Sequence, residues 1–177
     1  MTSCLTSSPG PLKQTIPRAQ WLSYRIGRGE QGVLTFEPYK SALLPSWRFR
    51  SVPIAQQSAA TLWGKFIDFD AQDDFVGMDM ARKFIQMGMT RAKRYANHAG
   101  ARKYRKLNGE DEDEDGVQQR GEELPKSEGH AGKDEKERAS RVFREAWVRC
   151  KAHEGYRRKK GRFLREQGEM VKIRDQG

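Results

Sequence analysis

Nine basic residues (Arg82, Lys83, Arg91, Lys93, Arg94, Arg102, Lys103, Arg105 and Lys106) fall between Asp79 and Glu110 with no acid among them. Tyr95, Asn97, His98 and Tyr104 are interleaved with them. Cations that hold phosphate oxygens, set among planar side chains on which a base can stack, are the equipment of a nucleic-acid- or phosphate-binding surface. Complementing the dipole of a helix end accounts for two or three such cations, not for nine. The candidate contacts are Arg91, Arg94, Asn97, His98, Arg102, Lys103 and Tyr104. Arg48 and Arg50 assist them, because Trp47-Arg48-Phe49-Arg50 on a strand would turn both arginines to one face. Arg91 differs from the others: on a helical wheel it falls at the centre of the apolar arc, close to Phe84 and Tyr95. A guanidinium there is costly unless a carboxylate or a bound anion pairs with it. Glu30, Glu37 and Asp74 are the candidate partners, and the floor of an anion pocket is the alternative.

That pocket would suit a small enzyme acting on a phosphorylated substrate or nucleic acid. Arg91 would clamp phosphate, Glu30 or Glu37 would serve as base, and Lys40 would assist. Glu37-Pro38-Tyr39-Lys40 is a weak version of a nuclease carboxylate–lysine pair, with the spacing off by one. Gly27-Arg28-Gly29-Glu30-Gln31-Gly32 spells a GxGxxG, but that fingerprint needs a helix opening at its last glycine, and strand-like residues and Glu37-Pro38 follow instead. A glycine-rich turn with positive φ angles explains it as well. A third reading is a protein-interaction module for an acidic partner. Whether the protein is an enzyme is left open by these residues.

The charge is segregated. The 177 residues carry 34 Lys+Arg against 24 Asp+Glu, a net charge of +10. Gly109 to Pro125 holds eight acids against one base; without it, 33 bases face 16 acids, a balance of +17. Such a surface attracts polyanions over long range. Cys4 and Cys150 make no disulfide framework, and His98, His130 and His153 do not cluster with cysteines or acids at metal-ligand spacing, so no metal and no cofactor are expected. No apolar run approaches the ~20 residues that cross a bilayer, so no membrane partner is expected. Oligomeric state is not legible.

The elements that must position these residues form a mainly α fold. The expectation is a single helical domain of three to five helices with a short N-terminal β-hairpin or irregular strands, the hairpin formed by Trp21–Ile26 and Val33–Glu37 around the glycine turn. The globular part covers 19–106 and 134–165. A Ser/Pro-rich leader (1–18) and an acidic, Gly-rich insertion (107–133) are expected to be disordered, and a tail (166–177) to fray. The acids of the insertion are expected to fold back on the basic surface.

Ser51 caps a helix with Ile54, Ala55, Ala59, Leu62, Phe66 and Phe69 inward. Asp73 or Asp74 caps the central helix. There Gly77, Ala81, Gly88 and Ala92 form a small-residue ridge, four methionines supply adaptable filler, and Arg82, Lys83, Lys93, Arg94 and Asn97 point outward. Gly100 ends that helix. A further helix from Asp134 buries Ala139, Val142, Phe143, Ala146, Trp147 and Cys150 and closes at Gly155.

The runs RIGRGEQGVL, EPYKS, LLPSWRFR and DDFVGMDMARKFIQMGMTRAKRYANH between Trp21 and Tyr104 resemble the family called domain of unknown function 4385. Phe143–Trp147 and Tyr156 resume the likeness more weakly. The resemblance implies a small cytoplasmic protein, with the nucleus as the alternative location, and brings no established activity.

Overall fold

The computed structural model describes residues 11–105 and 121–175. Residues 1–10 of the leader and the acidic run Glu110–Asp115 lie outside the described residues.

Six α-helices and three 3-10 turns are found among the described residues. Two helices are short, α1 (Arg18–Leu22) and α2 (Tyr39–Leu43). Four are long: α3 (Val52–Ala71), α4 (Phe75–Asn97), α5 (Lys133–Ala152) and α6 (Glu154–Asp175). The long four match the expected number; α1 and α2 carry the total above it.

Ser51 caps α3, its hydroxyl accepting from the Ile54 amide, and Asp74 caps α4 by accepting from the Gly77 amide at 3.2 Å. The turn between these helices puts Asp73 at φ 55, a left-handed conformation that aspartate tolerates better than most residues. α4 then runs through the centre, packed on α3 and α5. Its small residues work as the periodicity predicts. A Cβ on Gly77 would lie 2.3 Å from the Phe69 ring of α3, and one on Gly88 2.6 Å from the Phe143 ring of α5. The missing side chains are what let two aromatic rings lie against the helix. α5 ends at Ala152, capped by His153, rather than at Gly155. Gly155 belongs to α6, where a Cβ would collide with the Asp70 carboxylate that Lys159 holds at 2.5 Å. Ile54, expected inward, stays 40% exposed on the first turn of α3, while Ser58 takes a buried place by donating to the Ser46 carbonyl.

The expected N-terminal hairpin is not formed; no strand occurs among the described residues. Trp21 sits on α1, and the chain from Gly27 to Thr35 is a series of turns with Gly27, Gly29 and Gly32 at φ 63, 64 and 77. Its carbonyls find partners on side chains instead of on a second strand. The Lys83 ammonium takes the carbonyls of Arg25 (3.3 Å) and Gln31 (2.9 Å), Arg82 reaches that of Gly29 (3.4 Å), and the Gln167 amide takes Leu22 (2.6 Å) and Tyr24 (2.7 Å). The strand expected at 47–50 is likewise an extended loop. Trp47 and Phe49 still pack inward against the core while Arg48 and Arg50 are exposed.

Arg82 and Lys83, expected on the outer face, are buried at 7% and 0% exposure. They flank Asp79, which is fully buried: Arg82 Nε lies 2.8 Å and Lys83 Nζ 3.7 Å from its carboxylate, and the hydroxyls of Tyr24 and Tyr156 each donate to it at 2.6 Å. Burial alone would raise the Asp79 carboxyl, but the charge and hydrogen bond of Arg82 and the two tyrosine hydroxyls outweigh it and hold the group below the ordinary carboxylate range. A carboxyl lowered on folding stabilises the fold above its unfolded value of about 3.9 and loses that contribution as pH falls through the folded value. Asp79→Asn should therefore cost about 3–5 kcal/mol at pH 7, and its urea midpoint should fall less than that of the wild type between pH 5 and pH 2. Parallel urea titrations of the two proteins measure both effects; a loss below about 1 kcal/mol at pH 7 would contradict the assignment.

Candidate functional site

α4 and α5 run antiparallel, tied by Ser140 Oγ donating to the Met89 carbonyl (3.0 Å) and by Trp147 Nε1 donating to Gln86 Oε1 (3.2 Å). Beyond the end of α4 the chain doubles back. Tyr104 pairs antiparallel with Glu123, the Ser127 amide donates to the Asn97 carbonyl (2.8 Å), and His130 Nε2 is 3.0 Å from the Tyr95 carbonyl. Residues 121–130 thus make a third wall. The three together enclose an open groove of about 810 Å³.

Six cations line it: Lys93, Arg94, Lys103, Lys126, Arg141 and Arg144. Two carboxylates answer them. Glu137 takes Lys93 at 3.3 Å, a hydrogen bond that holds its carboxyl below the usual range, and Glu123 takes Lys103 at 3.4 Å. Arg94, Lys126, Arg141 and Arg144 have no ion pair among the described residues. The same groove is lined by His98, only 5% exposed, whose Nδ1 is buried without a hydrogen-bond partner among the described residues. A buried ring nitrogen left unpaired is unusual in a folded chain. Trp147 closes the far end.

Of the residues singled out in the sequence, Arg94, Asn97, His98 and Lys103 meet in this groove. Tyr104 stands beside it in the paired segment, and Arg102 is exposed. Arg48 and Arg50 lie on the other flank of α4, where Phe49 packs on Tyr95 (centroids 5.8 Å apart) and Lys136 donates to the carbonyls of Phe49 (3.0 Å) and Arg50 (2.6 Å). Tyr95 is about 200° around the helix from Lys93 and from Asn97, so those arginines do not share the groove.

Arg91 is half-buried and makes no hydrogen bond or ion pair among the described residues; the three carboxylates considered for it are engaged elsewhere. Glu30 accepts from Thr90 Oγ1 (2.7 Å), Glu37 pairs with Lys40 (2.5 Å), and Asp74 accepts from Trp21 Nε1 (2.9 Å) and the Tyr39 hydroxyl (2.7 Å). Because Tyr39 docks at Asp74, α2 with Glu37 and Lys40 meets the first turn of α4. Arg91 is seventeen residues further along, roughly 25 Å at the helical rise. Arg91, Glu37 and Lys40 are not brought together.

The sequence reading missed Arg141 and Arg144. Their signal was present: they are spaced i, i+3 and lead directly to Trp147 (Arg141-Val-Phe-Arg144-Glu-Ala-Trp147), next to the apolar stripe of α5 that was recognised.

No group of three or more His, Cys, Asp or Glu side chains suited to a metal occurs among the described residues, and no helix among them is long and apolar enough to cross a membrane. The model of a family described as domain of unknown function (DUF4385) matches residues 10–166, and the chain belongs to that family. No curated protein and no solved structure matches the chain.

Cys150 is fully buried at the end of α5, and burial pushes its thiol up to about 12. The thiol is the unreactive form at neutral pH. Alkylation of native protein at pH 8, read peptide by peptide in the mass spectrometer, should leave Cys150 unmodified until denaturant is added; rapid native labelling would contradict its burial.

Proposed function

We propose that the α4–α5 groove binds nucleic acid as a single strand. The observation that carries this reading is the set of four cations, Arg94, Lys126, Arg141 and Arg144, that line one cleft without a carboxylate of their own among the described residues. Guanidinium groups suit phosphate oxygens by geometry as well as charge. Asn97 adds a polar side chain to the groove, and Trp147 offers an aromatic edge at its end.

The cations line a groove walled by α4, α5 and the segment 121–130. A duplex is read by elements that project into its grooves, whereas a single strand can lie in a cleft. From Met89 to Asn97 the groove follows eight residues of α4, roughly 12 Å, enough for about three or four nucleotides. A location in the cytoplasm or nucleus accords with such a ligand.

Fluorescence anisotropy with a labelled single-stranded oligonucleotide tests the reading. Log affinity should fall linearly with log salt, with a slope of about −2 to −3 if about three or four phosphates are neutralised. Arg141→Ala should weaken binding about three- to tenfold near 150 mM salt and reduce the slope by roughly 0.7. Arg141→Glu combined with Arg144→Glu should abolish binding. Wild-type protein that fails to bind, or a double variant that binds as well as wild type, would overturn the proposal.

A further inference from the structure

The glycine motif plays no part in the groove, yet it borders a cavity of its own. About 400 Å³ of space lies between Gly27 and Gly29 on one side, Arg82 and Gln86 of α4 on another, and the α5–α6 corner on the third. That corner contributes Lys151, Arg157 and Lys160. Four cations therefore line this cavity, and no carboxylate does.

The carboxylate behind it cannot balance them. Asp79 is already shared by Arg82, Lys83 and the hydroxyls of Tyr24 and Tyr156. Two cations on one buried anion leave a net positive charge at the base of the cavity before the lysines at its mouth are counted. Lys160 has no ion pair or hydrogen bond among the described residues. The Lys151 ammonium stands 4.3 Å above the Trp147 ring and has no carboxylate partner among those residues. Arg157 Nε donates to the Lys151 carbonyl at 3.0 Å, which fixes the guanidinium at the rim. Like charges gathered in a concave, partly dry site repel one another unless an anion joins them.

The glycine wall suits a tightly held ligand. Gly27 and Gly29 take φ 63 and 64, a conformation that side chains disfavour, and a Cβ at Gly27 would meet the Gln31 carbonyl at 3.1 Å. Backbone at the two glycines, beside Ile26, thus lines that side. No helix follows Gly32, so the arrangement is not a dinucleotide fingerprint. The cations come from α4, α5 and α6.

We infer that this cavity is a second anion site, separate from the groove, and that it binds a phosphate group, either as inorganic phosphate or as the terminal ester of a nucleotide. The inference does not depend on what the groove binds. Trp147 lines both cavities, so the two sites lie side by side along α5.

Thermal unfolding tests it. Full-length protein is melted in sodium phosphate, in adenosine monophosphate and in sodium chloride at matched ionic strength. Phosphate at tenfold excess over its Kd should raise the Tm by roughly 3–6 °C beyond the chloride control. Lys151→Gln combined with Lys160→Gln should remove that rise, both side chains being outside the buried cluster. Arg141→Gln combined with Arg144→Gln, in the groove, should keep it. A larger rise with the nucleotide than with phosphate assigns the site to a phosphate ester, and equal rises assign it to the free ion; both support the inference. A rise no greater than that in chloride overturns it. So does a rise lost in the groove pair and kept in the lysine pair, a result that would instead place phosphate in the groove. Oligonucleotide binding measured on the same two variants reports separately on the groove.

Discussion

Two buried carboxylates, one capping α4 and one on its second turn, hold the other elements in place. Asp74 and Asp79 are both fully buried, and each gathers groups from distant parts of the chain. Asp74 caps its own helix and accepts from Trp21 on α1 and Tyr39 on α2. Asp79 accepts from Tyr24 in the N-terminal segment and Tyr156 on α6 and pairs with Arg82 and Lys83 beside it. Removing two carboxylates from water costs several kcal/mol apiece unless their lone pairs are filled by short, charge-assisted bonds. Here they are filled, and the groups that fill them bring α1, the glycine turns, α2 and α6 onto one helix. A greasy contact between the same elements would bury as much surface but would fix their orientation less closely.

This arrangement explains why so long a stretch without regular structure, from Ser23 to Pro38, is ordered against the core. A strand would have satisfied its backbone by pairing with a neighbour. Lys83, Arg82 and Gln167 do so with side chains, and the aromatic rings of Tyr24 and Phe36 (5.0 Å) and of Trp21 and Phe163 (4.9 Å) supply the packing. The cations of α4 therefore fall into two groups with different work. Arg82 and Lys83 are committed to Asp79 and to backbone carbonyls. Lys93 and Arg94, about three turns further on, are exposed.

Much of this was legible from residue spacing. The caps at Ser51 and Asp74, the small-residue positions Gly77 and Gly88, and the buried stripe of α5 follow from local rules that act within one helix. What was not legible depends on partners far apart in sequence. Trp21–Ile26 and Val33–Glu37 read as strands because they alternate and flank glycines; the competing side-chain bonds come from residues 52 to 145 positions away. The helical wheel likewise misplaced the cations. It put Arg82 and Lys83 outside, because an apolarity pattern scores charge as exposed, although both are buried. An acid four residues before a lysine, and three before an arginine, on the same face was the clue that these two could be buried as a set. For the site, contiguity in sequence suggested that Arg48, Arg50 and Arg91–Tyr104 act together, whereas the groove takes two of its six cations from α5 and one more from the segment 121–130.

The separation between structural and uncommitted charge bears on how such a basic chain stays folded. Self-repulsion among many cations destabilises a compact state. Within the fold the acids are spent where they stabilise most: Asp74 and Asp79 at the centre, and Asp70 and Asp73 at the α3–α4 turn, where they take Lys159 and Arg162 of α6. Few carboxylates remain for the α4–α5 face, so Arg94, Arg141 and Arg144 face one another across a groove with two glutamates between six cations. The repulsion left there is relieved by salt or by an anionic ligand. Any anion that fills the groove gains the relief of that repulsion in addition to its own contacts, and its binding must weaken as added salt screens the same charges.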